Sequence, residues 1–354
     1  MRRRCIVLAL GVALCAAFAP LAPARHKKND QQQVLPLPPQ LPMALAAETR
    51  MLDFHISPLL ASGGLDAQIR QSLNDLIRQT HGETIVKLRA FVSGAGDARL
   101  VKEKAGRIFT GHKLPLPVVS IVQVGALGGD AAEVVIEAVV ETKRILNPNG
   151  LAFFSGQSAP SFEQAVKRLS ESARAVSVPA GHILTCTCFA SEITDYHSMR
   201  AALRSAFPES SIDIVQPLRD PGNGAAACEA VGRLSAPPRN GPVEILKGPR
   251  AALVDSRQLV FTGLQLTFGN YLDDAHEAFA RLERAVSAVH AWEAPVAINA
   301  FTLDGYAASA VRKTTAAPPA VFTVEMVEGL PAIDASAGIE AVLAPNVRTD
   351  SLVR

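Results

Sequence analysis

Three glutamates stand in matching surroundings: Ile136-Glu137-Ala138, Cys228-Glu229-Ala230 and Ile339-Glu340-Ala341. Each interrupts an apolar run, most plainly in the stretch VVIEAVV around Glu137. A carboxylate placed this way has two uses. Partial burial can raise its pKa, so that it orients or deprotonates a water during hydrolysis. Alternatively it hydrogen-bonds where sheets meet and carries no chemistry. Catalysis needs a second group in place. Lys87, Arg89, Arg250, Arg312 and Lys313 could supply a cation, although the ordinary role of each is a solvated surface charge. Gln157 and Gln265 are weaker candidates, able to hydrogen-bond a ligand carbonyl. No histidine pair stands at i, i+4 and no histidine has a cysteine at ligand spacing, so neither a metal nor a cofactor is expected.

The elements that position these residues repeat. Three stretches each read as an amphipathic helix, a short turn and a β-rich run ending in a small residue and a phenylalanine: Phe91, Phe189 and Phe301. Asp66 is placed to cap the first helix, and Ser161 with Gln164 forms a capping box on the second. Asp274 with Glu277 repeats that box on the third. A second helix and two strands follow, the last strand holding the glutamate. Hairpins are expected to open the second and third units, turning at Asn149-Gly150 and near Asp255-Ser256, while the first unit lacks its opening strands. Alternation along Glu133 to Glu141 puts Val134, Ile136, Ala138 and Val140 on a helix-packed face. Val135, Glu137 and Val139 fall on the opposite face, which suits a sheet meeting a sister sheet around a cleft.

The 354 residues suffice for two or three domains. A net charge of +2 with 5% aromatic residues gives no basic stripe with stacking rings, so no nucleic-acid partner is expected. Arg2-Arg3-Arg4, an apolar stretch and Ala22-Pro23-Ala24 have the layout of a secretory signal peptide over 1–24. Cys15 as a lipoprotein cysteine ranks second. A Pro-rich linker follows over 25–49. The expected location is therefore exported, periplasmic in a bacterium, with the cytoplasm as the alternative. Beyond the leader no membrane partner is expected. Cys186, Cys188 and Cys228 in the body are odd in number and give no disulfide framework.

Together these residues resemble the Rid (RidA/YjgF) family of reactive-intermediate deaminases. The stretches that carry the resemblance are AFFSGQ at 152–157, VFTGLQ at 260–265, and PLPVVSIVQVGAL leading into VVIEAVV. The resemblance implies an α+β fold of three tandem degenerate Rid-like (chorismate-mutase-like) units, each a mixed sheet with two helices on one face. The units span 50–144, 145–238 and 239–346, with a tail over 347–354. Family members are typically homotrimers with clefts between subunits. Three copies in one chain therefore imply an intrachain pseudo-trimer, monomeric in solution. The implied activity is hydrolysis of a C=N bond in a small imine or enamine at an inter-unit cleft. A catalytically inactive protein that binds a small ligand or a partner on the same scaffold is the alternative. The family's glutamate survives as Glu137, Glu229 and Glu340. Its carboxylate-binding arginine is replaced, on the alignment, by Val119, Ser210 and Val321. Valine cannot make the bidentate contact that arginine makes.

Overall fold

The computed structural model describes residues 39–345, apart from 95, 218–223, 269–270, 288–294 and 315–320. The leader, the linker as far as residue 38 and the C-terminal tail lie outside the described residues. Within them the chain is a mixed α+β structure of three sheets and six α-helices. No helix among them is long and apolar enough to cross a membrane.

A first strand, β1 (Ala44–Glu48), precedes three segments. The first segment holds β2 (Leu52–Ile56), α1 (Leu65–Gln79), β3 (Thr84–Ser93), α2 (Arg99–Gly111), β4 (Val118–Val124), β5 (Ala126–Leu127) and β6 (Val134–Glu141). The second holds β7 (Leu151–Ala159), α3 (Phe162–Ala175), β8 (Ile183–Ala190), α4 (Tyr196–Ala206), β9 (Ser211–Gln216) and β10 (Ala226–Arg233). The third holds β11 (Val243–Leu246), β12 (Ala251–Val254), β13 (Gln258–Thr262), β14 (Gln265–Phe268), α5 (Tyr271–Ser287), β15 (Pro295–Thr302), α6 (Gly305–Thr314), β16 (Val321–Met326) and β17 (Ala335–Leu343).

The three sheets share one core order: β2-β6-β3-β4, β7-β10-β8-β9 and β13-β17-β15-β16. In each, the last strand pairs antiparallel with its neighbours and the other two inner strands run parallel, as a helical crossover requires. Each helix pair covers one face. Val134, Ile136, Ala138 and Val140 pack with Ile69, Leu73 and Leu76 of α1, the face that alternation assigned to them. Phe162, Leu169 and Cys186 do the equivalent in the second segment. Each large apolar side chain taken fully from water contributes roughly 2 kcal/mol. The opposite faces meet in two further clusters that draw on all three segments.

Several local expectations are corrected. The strands flanking Asp255-Ser256 do not form a hairpin: β12 pairs with β7 and β11, whereas β13 pairs with β1 and β17. Residues 145–148 form no strand, so β7 opens without a hairpin partner, and Gly150 takes φ +89° at the turn that precedes it. β1 docks as an extra edge strand on the third sheet, and β5 extends the second sheet beside β9. Ser161 caps α3 as expected, its hydroxyl accepting from the Gln164 N–H at 3.3 Å. Asp66 does not cap α1. It lies inside the first turn and pairs with Arg70 and Lys104. Asp274 likewise lies within the first turn of α5 and accepts from the Ser336 hydroxyl at 2.7 Å.

A disulfide also overturns the odd-cysteine argument. Cys188 and Cys228 are direct register partners on β8 and β10, and they are bonded. Cys186 is the cysteine left over, buried on the helix-covered face with its thiol pushed up by that burial. Counting cysteines could not show which two would face each other across neighbouring strands.

Candidate functional site

The three glutamates converge on one another. Each sits opposite a residue two positions before its segment's phenylalanine: Arg89 with Glu137, Thr187 with Glu229, and Asn299 with Glu340. Because strands alternate faces, that fixed offset sends all six side chains inward together. Above them Phe91, Phe189 and Phe301 meet, with ring centroids 6.0 and 6.5 Å apart along the series. Below them lie Phe54, Phe153 and Phe261, paired in register with Val139, Val231 and Val342.

Arg89 is the hub. Its Nε donates to Glu137 at 2.5 Å, and its Nη1 donates to Glu229 at 2.9 Å and Glu340 at 3.3 Å. Nη2 donates to the Thr187 hydroxyl at 3.2 Å. With its amide oxygen turned inward, Asn299 accepts from Nη1 at 2.9 Å. Lys87 Nζ lies 2.8 Å from the second oxygen of Glu340. Neither cation is a surface charge, contrary to expectation: Lys87 is 6% and Arg89 9% exposed. The signal was present in the alternation, since Lys87, Arg89 and Phe91 occupy one face of β3.

Electrostatics separate the acids. Burial would raise Glu340, but Lys87 and Arg89 overcome it and hold its carboxyl below the usual range. Burial raises Glu229, and Arg89 only partly offsets that. Burial would lower Arg89, yet the three glutamates keep it charged. Asp213 of β9, opposite Thr187, is pushed up to about 8 by burial and by the nearby charge of Glu137. Its Oδ2 has no hydrogen-bond partner. Sequence reasoning missed Asp213, which looks like any acid in a strand until the neighbouring segment is present.

Beside this cluster lies a cavity of about 110 Å³. Lys87 and Arg89 with Glu137, Glu229 and Glu340 line its polar side, and the lower phenylalanines and valines line most of the rest.

A second cavity, of about 320 Å³, opens at the seam between β7 and β16. The strands approach closely there: the Gly156 N–H donates to Thr323 Oγ1 at 3.1 Å, and a Cβ on Gly156 would stand 3.2 Å from Thr323 Cγ2. Two of the cations weighed from sequence, Arg250 and Arg312, line this cavity, and Lys313 does not. Arg250 donates to Ser155 Oγ at 3.0 Å, and neither arginine has a carboxylate salt-bridge partner among the described residues. Glu325 lies on the cavity wall, 3% exposed, with an oxygen that has no hydrogen-bond partner. Burial and the nearby charge of Glu229 raise its pKa well above the usual carboxylate value, and Arg312 only partly offsets them.

The remaining candidates are placed as follows. Gln157 and Gln265 turn back on their own strands, donating to the carbonyls of Ser155 and Gly263 at 3.0 Å, and line neither cavity. The parallel register sets Val118, Ser211 and Val321 opposite Lys87, Thr185 and Ala297. Val119 and Ser210 thus stand one residue off the register position that Val321 holds on its own sheet. Val119 packs on the helix side. No cation occupies any of the three positions.

No family model matches the sequence, and no curated protein matches it. Among solved structures, a Rid-family protein of unknown function from Yersinia pestis is 20% identical, with 25% of this chain and 78% of that chain covered at a TM-score of 0.21. A chorismatase is 12% identical, with 86% and 100% covered at 0.24. A cyanuric acid hydrolase from A. caulinodans is 11% identical, with 85% and 100% covered at 0.22. Likenesses this distant show neither a shared family nor a shared site.

Proposed function

We propose that the chain is a divergent Rid-like protein, three degenerate copies closed into an intrachain pseudo-trimer, and that it binds a small carboxylate-bearing metabolite at one seam, between β7 and β16. One observation carries the binding site: Arg250 and Arg312 line a cavity without a salt-bridge partner among the described residues, and burial shifts its third ionisable group, Glu325, toward the neutral form. Two guanidinium groups without a carboxylate of their own suit an incoming one. The common strand order and the AFFSGQ and VFTGLQ stretches support the Rid-like scaffold. On this reading Glu137, Glu229 and Glu340 join the copies through Arg89. None is left to activate water, because each already accepts from a buried cation or hydroxyl. The protein acts as a monomer, exported once its leader is removed.

Hydrolysis of a small imino acid is the second reading. Glu325 favours it, since a buried neutral carboxyl can protonate an imine nitrogen. Titrating the protein with short 2-oxo acids by calorimetry tests the site, and ammonia release from 2-iminopropanoate tests the chemistry. Binding should weaken at least tenfold in Arg250→Ala and in Arg312→Ala. Unchanged binding in both variants, or no binding by the wild type, would sink the proposal. Accelerated ammonia release that is lost in Glu325→Gln would establish the hydrolase.

A further inference from the structure

The cavity beside the Arg89 cluster, called axial below for its place among the three sheets, shares no lining residue with the seam, and the proposed function gives it no task. Its unusual member is Lys87. A lysine is rarely buried without a reason, and this one lines an open space with its amine 2.8 Å from Glu340, which lines the same space. Around it stand Phe54, Phe153, Phe261, Val139, Val231 and Val342. The pairing with Glu340 at 2.8 Å gives the ammonium one local acceptor for its proton. Thr185 and Ala297, which hold the equivalent register positions in the other two segments, bring no second amine.

We infer that the axial cavity is a second site, which takes a small neutral aldehyde or ketone and holds it as an imine on Lys87. The amine nitrogen adds to the carbonyl carbon, and the carbonyl π electrons move to oxygen. The ammonium proton, passed through Glu340, goes to that oxygen. The nitrogen then gives a proton to Glu340, which passes it to the hydroxyl, and water leaves as the freed nitrogen lone pair forms the C=N bond. Amine and carbonyl give imine and water, with no oxidant or reductant. The geometry selects the compound. Three carboxyl groups, Glu137, Glu229 and Glu340, face two cations, Lys87 and Arg89, on its wall, so a neutral carbonyl enters more readily than an anion. The volume limits it to a few carbon atoms. Burial lowers the pKa of Lys87, with Glu340 restoring only part, which enriches the free amine that such addition needs.

The test is reductive trapping on the full chain. The protein is incubated at neutral pH with propanal or with pyruvate, each with cyanoborohydride, and digested for peptide mass mapping. With propanal, Lys87 should acquire the propyl group at least tenfold faster than any exposed lysine such as Lys102 or Lys167. Pyruvate should leave Lys87 unmodified. Lys87→Arg should remove the adduct while its melting curve reports whether it folds, and Ala297→Val, which narrows the cavity but keeps the lysine, should slow it. If propanal labels Lys87 no faster than the surface lysines, the inference is wrong. The wild-type map decides that outcome even if the variants fail to fold. Calorimetry with 2-oxo acids reads the seam separately, so either site can fail alone.

Discussion

Replacing Arg89 by leucine should destabilise the protein by an amount that depends on pH. The guanidinium touches Glu137, Glu229 and Glu340 at once. In Arg89→Leu, Glu340 keeps Lys87. The rest of the acidic cluster loses its cation inside the protein. The least costly response is to take up a proton. From a reference pKa near 4.3, that costs about 4 kcal/mol at pH 7 and about 1 kcal/mol at pH 5, at roughly 1.4 kcal/mol per pH unit. The first figure falls within the 3–5 kcal/mol typical of breaking a buried ion pair. The variant's native state then binds one more proton than its unfolded chain, so its stability falls as pH rises. Urea denaturation of wild type and variant at pH 5 and pH 7 gives both differences. The expected loss grows by roughly 3 kcal/mol between those conditions. An equal loss at both pH values, or one under about 1 kcal/mol at pH 7, would mean that Arg89 does not neutralise the glutamates.

Other perturbations grade the same cluster and its surroundings. Glu340→Gln strands Lys87 and should cost about 3–5 kcal/mol, whereas Glu229→Gln should cost about 1 or less. Denaturation midpoints in the reverse order would contradict the assigned charges. Asp213 is pushed up to about 8 in the folded protein, above the ordinary aspartate range, so its native state holds the extra proton and stability declines as pH rises through that window. The slope approaches about 1.4 kcal/mol per unit, and Asp213→Asn should flatten the profile, with an unaltered profile counting against the assignment. Replacing both Cys188 and Cys228 by serine opens a crosslink between residues 40 apart in sequence and should cost about 2–4 kcal/mol. A reductant should then lower the melting temperature of the wild type and leave the variant's unchanged.

Much of this arrangement is legible in the chain because strands have a period of two. Once Phe91, Phe189 and Phe301 are aligned, the same period puts the glutamates on one face and separates Ile136 from Glu137. Lys87 and Arg89 follow by the same rule, but the usual preference of cations for solvent outweighed it. What the sequence hides is pairing between segments. Nothing local to AALVDSRQLVFTGLQ says that β12 belongs to the second sheet and β13 to the third. The Cys188–Cys228 bond, the high pKa of Asp213 and the cavity around Glu325 likewise arise from residues that meet only after the sheets assemble.

The edge position of β1 sets the order in which the molecule can be completed. Its partner β13 belongs to the third segment, made after the other two. β1 therefore waits, without its strand partner, while both intervening segments are synthesised. The second sheet waits in the same way for β11 and β12. Such long-range closure is slow and leaves bare strand edges open to other chains meanwhile. A product truncated before β13 would keep that open latch permanently, so messages cut short should yield aggregating fragments rather than smaller working proteins.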